Sequence, residues 1–286
     1  MTPLGDDPRG IDVIGDVHGQ FDRLVALLKH LGYREIAGAW RHPGRRAVFL
    51  GDLIDRGPKQ LATVDLVRRM VDAGTARCVM GNHELNAIAW ATAAPGRPGR
   101  FLRDHHTPGN LAQHQGFLEE VDGKLHQEVV AWFKTLPLWL DLGELRIVHA
   151  CWHQASMDRL RPLLGADQTI TDELLVLGNT RGHWAHEAIE ILCKGPDLRQ
   201  LESPYPGNYG ELPLEVRIRW WLPDVWQAIL DSGPPVIFGH YWFVGTPAVI
   251  STQYACLDYS VARGGPLVAY RWDGEAQLAT EKMAWV

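Results

Sequence analysis

One pattern recurs along this chain and limits its fold more than any other. A short apolar run leads into glycine and then into a residue able to hold a cation or move a proton. Ile11, Val13 and Ile14 run into Gly15-Asp16-Val17-His18-Gly19. Ala47 to Leu50 runs into Gly51-Asp52, and Cys78 to Met80 into Gly81-Asn82-His83-Glu84. Leu145 to Val148 ends on His149, and Val236 to Phe238 ends on Gly239-His240. Short apolar runs bounded by glycine read as buried strands. Between the first three lie apolar residues at helical spacing: Phe21, Leu24, Leu27, Leu28 and Leu31, then Leu61, Val64, Leu66, Val67 and Val71. Leu85 to Ala93 reads as the next helix. The order is βαβαβ, so a right-handed, mostly parallel arrangement is expected. In open α/β sheets, functional groups gather beyond the carboxyl ends of the strands. Strand ends carrying Asp, His and Asn therefore predict one shared site.

The remaining chain is less periodic. Ala94 to Asn110 is rich in Pro, Gly and Arg and reads as a loop. Leu125 to Leu136 reads as a helix stopped by Pro137, and residues 156–232 as a helical and loop insertion flanking the site. Tyr254 to Tyr259 and Leu267 to Trp272 read as closing strands with a turn near Gly264-Gly265. We expect a single domain over 1–286 with that insertion inside it. With 28 basic and 34 acidic residues the net charge is −6, which does not fit a general nucleic-acid binder. No apolar leader and no stretch of membrane-spanning length is visible. Cys78, Cys151, Cys193 and Cys256 are far apart and form no CxxC pair, so they read as buried thiols of a reducing, cytoplasmic compartment. Most of the twelve Trp are expected in or near the core.

Asp16, His18, Asp52, Asn82, His149 and His240 offer oxygen and imidazole donors, which suit Mn, Fe, Zn or Mg; no cysteine joins them, against a structural zinc cage. Asp16 and His18 are two apart, so on an extended segment both reach one ion. Asp52 has two oxygens and can bridge two ions. Asn82 contributes a neutral carbonyl oxygen, and His149 and His240 complete the second ion. Two metals about 3.5–4 Å apart clamp a phosphoryl group for in-line displacement. Arg56 adds a bidentate fork suited to phosphate. His83 beside the metals fits a general acid on the leaving-group oxygen, with Asp55 orienting its ring.

These motifs resemble the signature of the phosphoprotein-phosphatase branch of the calcineurin-like metallophosphoesterases. They are Gly15-Asp16-Val17-His18-Gly19, Gly51-Asp52-Leu53-Ile54-Asp55-Arg56-Gly57 and Gly81-Asn82-His83-Glu84, with Val148-His149-Ala150 and Gly239-His240 downstream. The resemblance implies a four-layer α/β/β/α sandwich with two central mixed β-sheets. It also implies a dimetal site at the strand ends, usually manganese-dependent. It implies Asp16, His18 and Asp52 on one metal and Asp52, Asn82, His149 and His240 on the other. His83 and Asp55 form the acid pair, and Arg56 and Asn82 meet the phosphate. The family usually adds a second phosphate-binding arginine upstream of the last histidine; Arg217 and Arg219 are the candidates, with Arg181 another. The segment from Cys256 to Leu267 is similar to the closing strands of bacterial diadenosine-tetraphosphatase-like members.

Other residues admit blander readings. Glu84 reads as a helix-start charge rather than a ligand. His105-His106 and His183-x-x-His186 read as solvent-exposed or cleft histidines, and Arg41, Arg45 and Arg46 as a solvated turn. The expectation is a dimetal phosphatase of phosphomonoesters or nucleotide phosphoanhydrides, acting by direct attack of metal-bound hydroxide without a covalent phospho-enzyme. A bacterial serine/threonine protein phosphatase shares every motif. An inactive binding module on the same fold is the alternative of a different class. Trp152, Trp184 and Trp242 are candidates to stack a base.

Overall fold

The computed structural model describes residues 10–196, 218–222 and 233–286. The first half runs β1 (Gly10–Ile14), α1 (Phe21–His30), β2 (Arg34–Ile36), β3 (Ala39–Arg41), β4 (Arg45–Phe49), α2 (Gln60–Asp72), β5 (Ala76–Cys78), α3 (Asn82–Ala91), α4 (Pro108–Glu120) and α5 (Gly123–Phe133). It continues with β6 (Trp139–Asp141), β7 (Arg146–Val148), α6 (Gln154–Leu160), α7 (Asp172–Gly178), α8 (Trp184–Lys194), β8 (Val236–Phe238), β9 (Tyr254–Cys256), β10 (Val268–Trp272) and β11 (Met283–Trp285).

The strands form two mixed sheets. The five-stranded sheet has the order β11-β10-β1-β4-β5, with β1, β4 and β5 parallel and β10 and β11 antiparallel. The four-stranded sheet has the order β6-β7-β8-β9, with β7, β8 and β9 parallel. The expected parallel βαβαβ start is thus present.

Side chains alternate across a strand, and that alternation sends each strand into two buried clusters. Ile14, Phe49, Val148, Phe238 and Cys256 join a cluster with helix residues such as Leu24, Leu27, Val64, Val67 and Ile88. Their neighbours Val13, Val48, Ile147, Ile237, Ala255 and Leu257 join a second cluster, shared by the two sheets. Both faces of these short strands are therefore buried, which is why they read as unbroken apolar runs.

Several expectations need correction. α3 starts at Asn82 rather than Leu85, so Asn82, His83 and Glu84 form its first turn. α4 lies partly in the expected loop; its glycines and glutamines give it no apolar stripe, and it buries only His114 and Phe117. The β2–β3 hairpin and β11 also went unread, being three-residue strands with too few side chains to show a period. Arg45 is no solvated turn residue: it pairs with buried Asp12 and with Asp273. Trp40, Trp132, Trp139 and Trp220 are core residues, as expected of most of the tryptophans. The four cysteines are free and buried, as expected. No described helix is long and apolar enough to cross a membrane. Part of the 156–232 stretch lies outside the described residues; the described part is helical, with α6 running into it and α7 and α8 inside it.

Candidate metal centre

The parallel strands of both sheets deliver their carboxyl ends to one place. β1 leads to Asp16 and His18, β4 to Asp52, and β5 to the first turn of α3. β7 leads to His149, β8 to His240 and β9 to Asp258. All of these side chains are buried, Asp16, His149 and Asp258 almost completely.

Two clusters of ligand-type atoms result. His18, Asp52 and His83 form one, and Asp52, His149 and His240 the other. Asp52 is their common member. Its Oδ2 lies 3.7 Å from His18 Nε2 and 3.8 Å from His83 Nε2, while its Oδ1 lies 3.4 Å from His149 Nε2. Its two oxygens thus face different clusters.

Each histidine ring is held by its far nitrogen. His18 Nδ1 donates to the Ile54 carbonyl at 3.1 Å, and His149 Nδ1 to the Leu50 carbonyl at 2.7 Å. A carbonyl only accepts, so each ring carries a proton on Nδ1, and a ring that is neutral turns an Nε2 lone pair inward. His18 Nε2 and Asp16 Oδ1 are buried with no hydrogen-bond partner among the described residues. His149 Nε2 faces Asn82 Oδ1 at 3.1 Å and His240 Nδ1 at 3.2 Å. So many inward acceptors call for positive charge. In the protein alone a proton supplies it: burial opposes the charge on His149, but Asp52 and Asp16 drive its pKa up to about 10. Burial and His83 push His18 down to about 3, leaving it a neutral donor. Burial and Asp258 raise Asp16, while His149 and His83 outweigh burial and hold Asp52 low. A pair of divalent cations fits this donor set.

The backbone is shaped around these atoms. Asp16 Oδ2 accepts the His240 N–H at 3.0 Å. Gly239 must be glycine, since a Cβ there would run into Asp16 Oδ1. Glu84 is a buried clamp: its carboxylate accepts the N–H groups of Asp52 and Leu53 at 2.8 Å and of Gly81 at 3.0 Å.

Beside the first cluster, Asp55 Oδ2 accepts from His83 Nδ1 at 2.5 Å. The other oxygen of Asp55 accepts from His114 Nδ1 at 3.1 Å. Arg56 Nη2 lies 3.4 Å from His83 Nε2. Gln113 brings its amide nitrogen within 3.1 and 3.2 Å of the two His83 nitrogens, with Arg103 fixing its other end. His114, Gln113 and Asp258 were missed by sequence reasoning. The first two sit on α4, whose pattern was unreadable; Asp258 had a signal, an apolar strand ending in an acid.

Arg219 is exposed between buried Ile218 and Trp220, and Arg217 lies outside the described residues. Exposed Arg181 precedes α8. His183 caps α8 and His186 bonds the Gly178 carbonyl, so the pair does not converge. His105 is half-buried, stacked on Trp90 and Phe101 and lining a cleft with them, and His106 is exposed. Of the three tryptophans suggested for base stacking, Trp152 is buried and Trp184 packs with Arg159; Trp242 stands at the site, with the Arg56 guanidinium over its ring.

The sequence profile of the calcineurin-like phosphoesterases matches residues 10–201. A bis(5'-nucleosyl)-tetraphosphatase PrpE (asymmetrical) of Geobacillus sp. strain WCH70 is 33% identical over 144 residues, covering 49% of this chain and 56% of that protein. The chain thus spans about half the length of that relative. A symmetrical bis(5'-nucleosyl)-tetraphosphatase of Methylococcus capsulatus is 26% identical, with 92% of each chain covered. Among solved structures, a protein serine/threonine phosphatase of Saccharomyces cerevisiae with similarity to human phosphatase PP5 superposes with a TM-score of 0.60 at 15% identity, covering 98% of this chain and 79% of its own. A cold-active protein-tyrosine phosphatase of a Shewanella species gives 0.53 at 18% identity, covering 95% and 80%. These two likenesses show a shared mixed α/β fold.

Proposed function

We propose, from the premise that this chain belongs to the calcineurin-like phosphoesterase family, that it is a two-metal phosphatase of phosphomonoesters or nucleotide phosphoanhydrides. One observation carries the reading: the two oxygens of a single buried carboxylate, Asp52, face two separate clusters of lone-pair donors. Asp16, His18 and Asp52 would hold one ion, and Asp52, Asn82, His149 and His240 the other. Manganese is the pair we favour, and the donors also suit iron, zinc or magnesium. Bound there, the two ions would lower the pKa of a coordinated water and neutralise phosphoryl oxygens.

The chain's own residues would do the rest. Arg56 forks onto the phosphoryl oxygens, joined by Asn82 and by the second arginine, Arg217 or Arg219. His83 donates through Nδ1 to Asp55, so Nε2 is the end that hands a proton to the leaving-group oxygen. His114 holds Asp55 from its other side, which fixes the plane of the carboxylate. Arg56 Nη2 and His83 Nε2 lie side by side, which supports one phosphoryl group and its leaving oxygen meeting both.

We read the two sheets and flanking helices as a four-layer α/β/β/α sandwich, supported by the apolar cluster they share. The chain would be a single domain over 1–286, with the 156–232 stretch an insertion beside the site, acting in the cytoplasm. The relatives' names favour a dinucleoside polyphosphate over a phosphoprotein.

The test is turnover of p-nitrophenyl phosphate with added Mn²⁺, followed by a panel of diadenosine tetraphosphate, a phosphopeptide and 5′-phosphorylated RNA. We expect turnover that a chelator abolishes, and preference for the tetraphosphate. Preference for the phosphopeptide would point to a protein phosphatase. Silence with every divalent ion would leave only an inactive binding module.

A further inference from the structure

Trp242, two residues beyond His240, carries two guanidinium groups. The Cζ of Arg56 is 4.2 Å from its ring centroid and the Cζ of Arg263 is 4.1 Å away. The two charges therefore lie no further apart than about twice that distance. Arg56 follows β4 and Arg263 follows β9, 207 positions later, so the fold alone brings them to one ring. Two like charges repel, and the cation–π contacts of a half-buried ring offset that only modestly. Arg263 is exposed, and no carboxylate among the described residues pairs with it.

The stack is built rather than incidental. Asp258 Oδ2 accepts the Trp242 N–H at 2.8 Å, and its Oδ1 accepts the Ser260 N–H at 3.0 Å. The Phe243 N–H donates to the Asp258 carbonyl at 2.8 Å, and Ser260 Oγ donates to the Phe243 carbonyl at 3.1 Å. These bonds lock the segment carrying Trp242 to the short turn Val261–Arg263. Trp242 and Ser260 both hold left-handed backbone, at φ +52 and +60. Non-glycine residues keep that conformation only where their surroundings impose it, and such positions cluster at ligand clamps.

We propose that Arg263 grips a phosphate next in line to the one being cleaved, so that Arg56 and Arg263 together select substrates with phosphates in series over isolated monoesters. The inference rests on the phosphatase reading and gives it a specificity residue. Arg56 meets the scissile phosphate beside His83. Arg263, over the same indole, offers a second fork no further from the first than about twice the ring-contact distance, a span that a chain of linked phosphates can bridge. Trp242 holds both guanidiniums close to its ring without using their N–H edges, and the Arg56 edge lies beside His83.

The experiment compares kcat/KM for diadenosine tetraphosphate and p-nitrophenyl phosphate in the full chain with Mn²⁺, as wild type, Arg263→Ala and Arg263→Lys. In Arg263→Ala the ratio of tetraphosphate to monoester should fall about tenfold to a hundredfold, mainly through KM. Arg263→Lys should recover part of it, since the charge stays and the fork is lost. An unchanged ratio, or equal loss on both substrates, overturns the inference. So does a wild type that turns over the monoester and not the tetraphosphate, although it remains a phosphatase. A wild type that turns over neither removes the phosphatase reading itself.

Discussion

His18, Asp52, Asp55, Arg56 and His240 all hold left-handed backbone, with φ of +48, +50, +65, +72 and +73. Each such non-glycine residue costs about 1–3 kcal/mol. Their sequence motifs were legible because the residue types are few and the spacing fixed; their backbone strain was not. His83 is the residue whose role separates chemistry from binding. His83→Ala should lower kcat about 10²- to 10⁴-fold while leaving bound metal unchanged. Metal content measured beside activity checks it, and a parallel loss of both would remove the general-acid role. Asp55 gives a pH signature. Burial works to raise its carboxyl, but hydrogen bonds from His114 and His83 hold it below the ordinary range. A carboxyl lowered by folding adds stability above its unfolded value of about 3.9, and loses it as pH falls through the folded value. Denaturant melts of the metal-free protein should show the gap between wild type and Asp55→Asn narrowing below about pH 4. A gap that stays constant into acid would show that the carboxylate is not held by these bonds.

Between β4 and α3 the decisive device is Glu84. Its carboxylate gathers three N–H groups from the Gly51 and Gly81 corners, so it sets where Asp52 points. From sequence it read as a helix-start charge, and it does sit in the first turn of α3. That it reaches across to a strand 31 and 32 residues earlier was not readable, because the contact joins two strand ends through space. Glu84→Ala leaves buried donors without acceptors. It should cost about 1–3 kcal/mol for each one that water cannot reach. It should also weaken metal binding without touching a ligand. Equilibrium unfolding with metal titration reads both, and unaltered metal affinity would show that Asp52 orients itself. The helical stripes of α1 and α2 were legible in full. α4 was not, and with it went His114 and Gln113, which contact Asp55 and His83.

Across the whole molecule, the candidate site draws its residues from the strand ends of both sheets. Asp16, His18, Asp52 and Asn82 come from one, and His149, His240 and Asp258 from the other. Cations bound there would join them. Removing metal should therefore lower the melting temperature. Saturation at a thousandfold over Kd is worth about 4 kcal/mol, and each 1 kcal/mol moves a chain near this size by about 2–4 °C. Thermal melts with and without a chelator measure it; identical melts would mean that no cation binds here. The residue types at each strand end, their order and the βαβαβ start were determined by the sequence alone, because strand period and glycine turns are local. Which ends meet, which oxygen of Asp52 faces which cluster, and that Trp242 carries both Arg56 and Arg263 were decided by the tertiary structure. Those facts depend on how two sheets pack across one apolar cluster, and no window of sequence contains that packing.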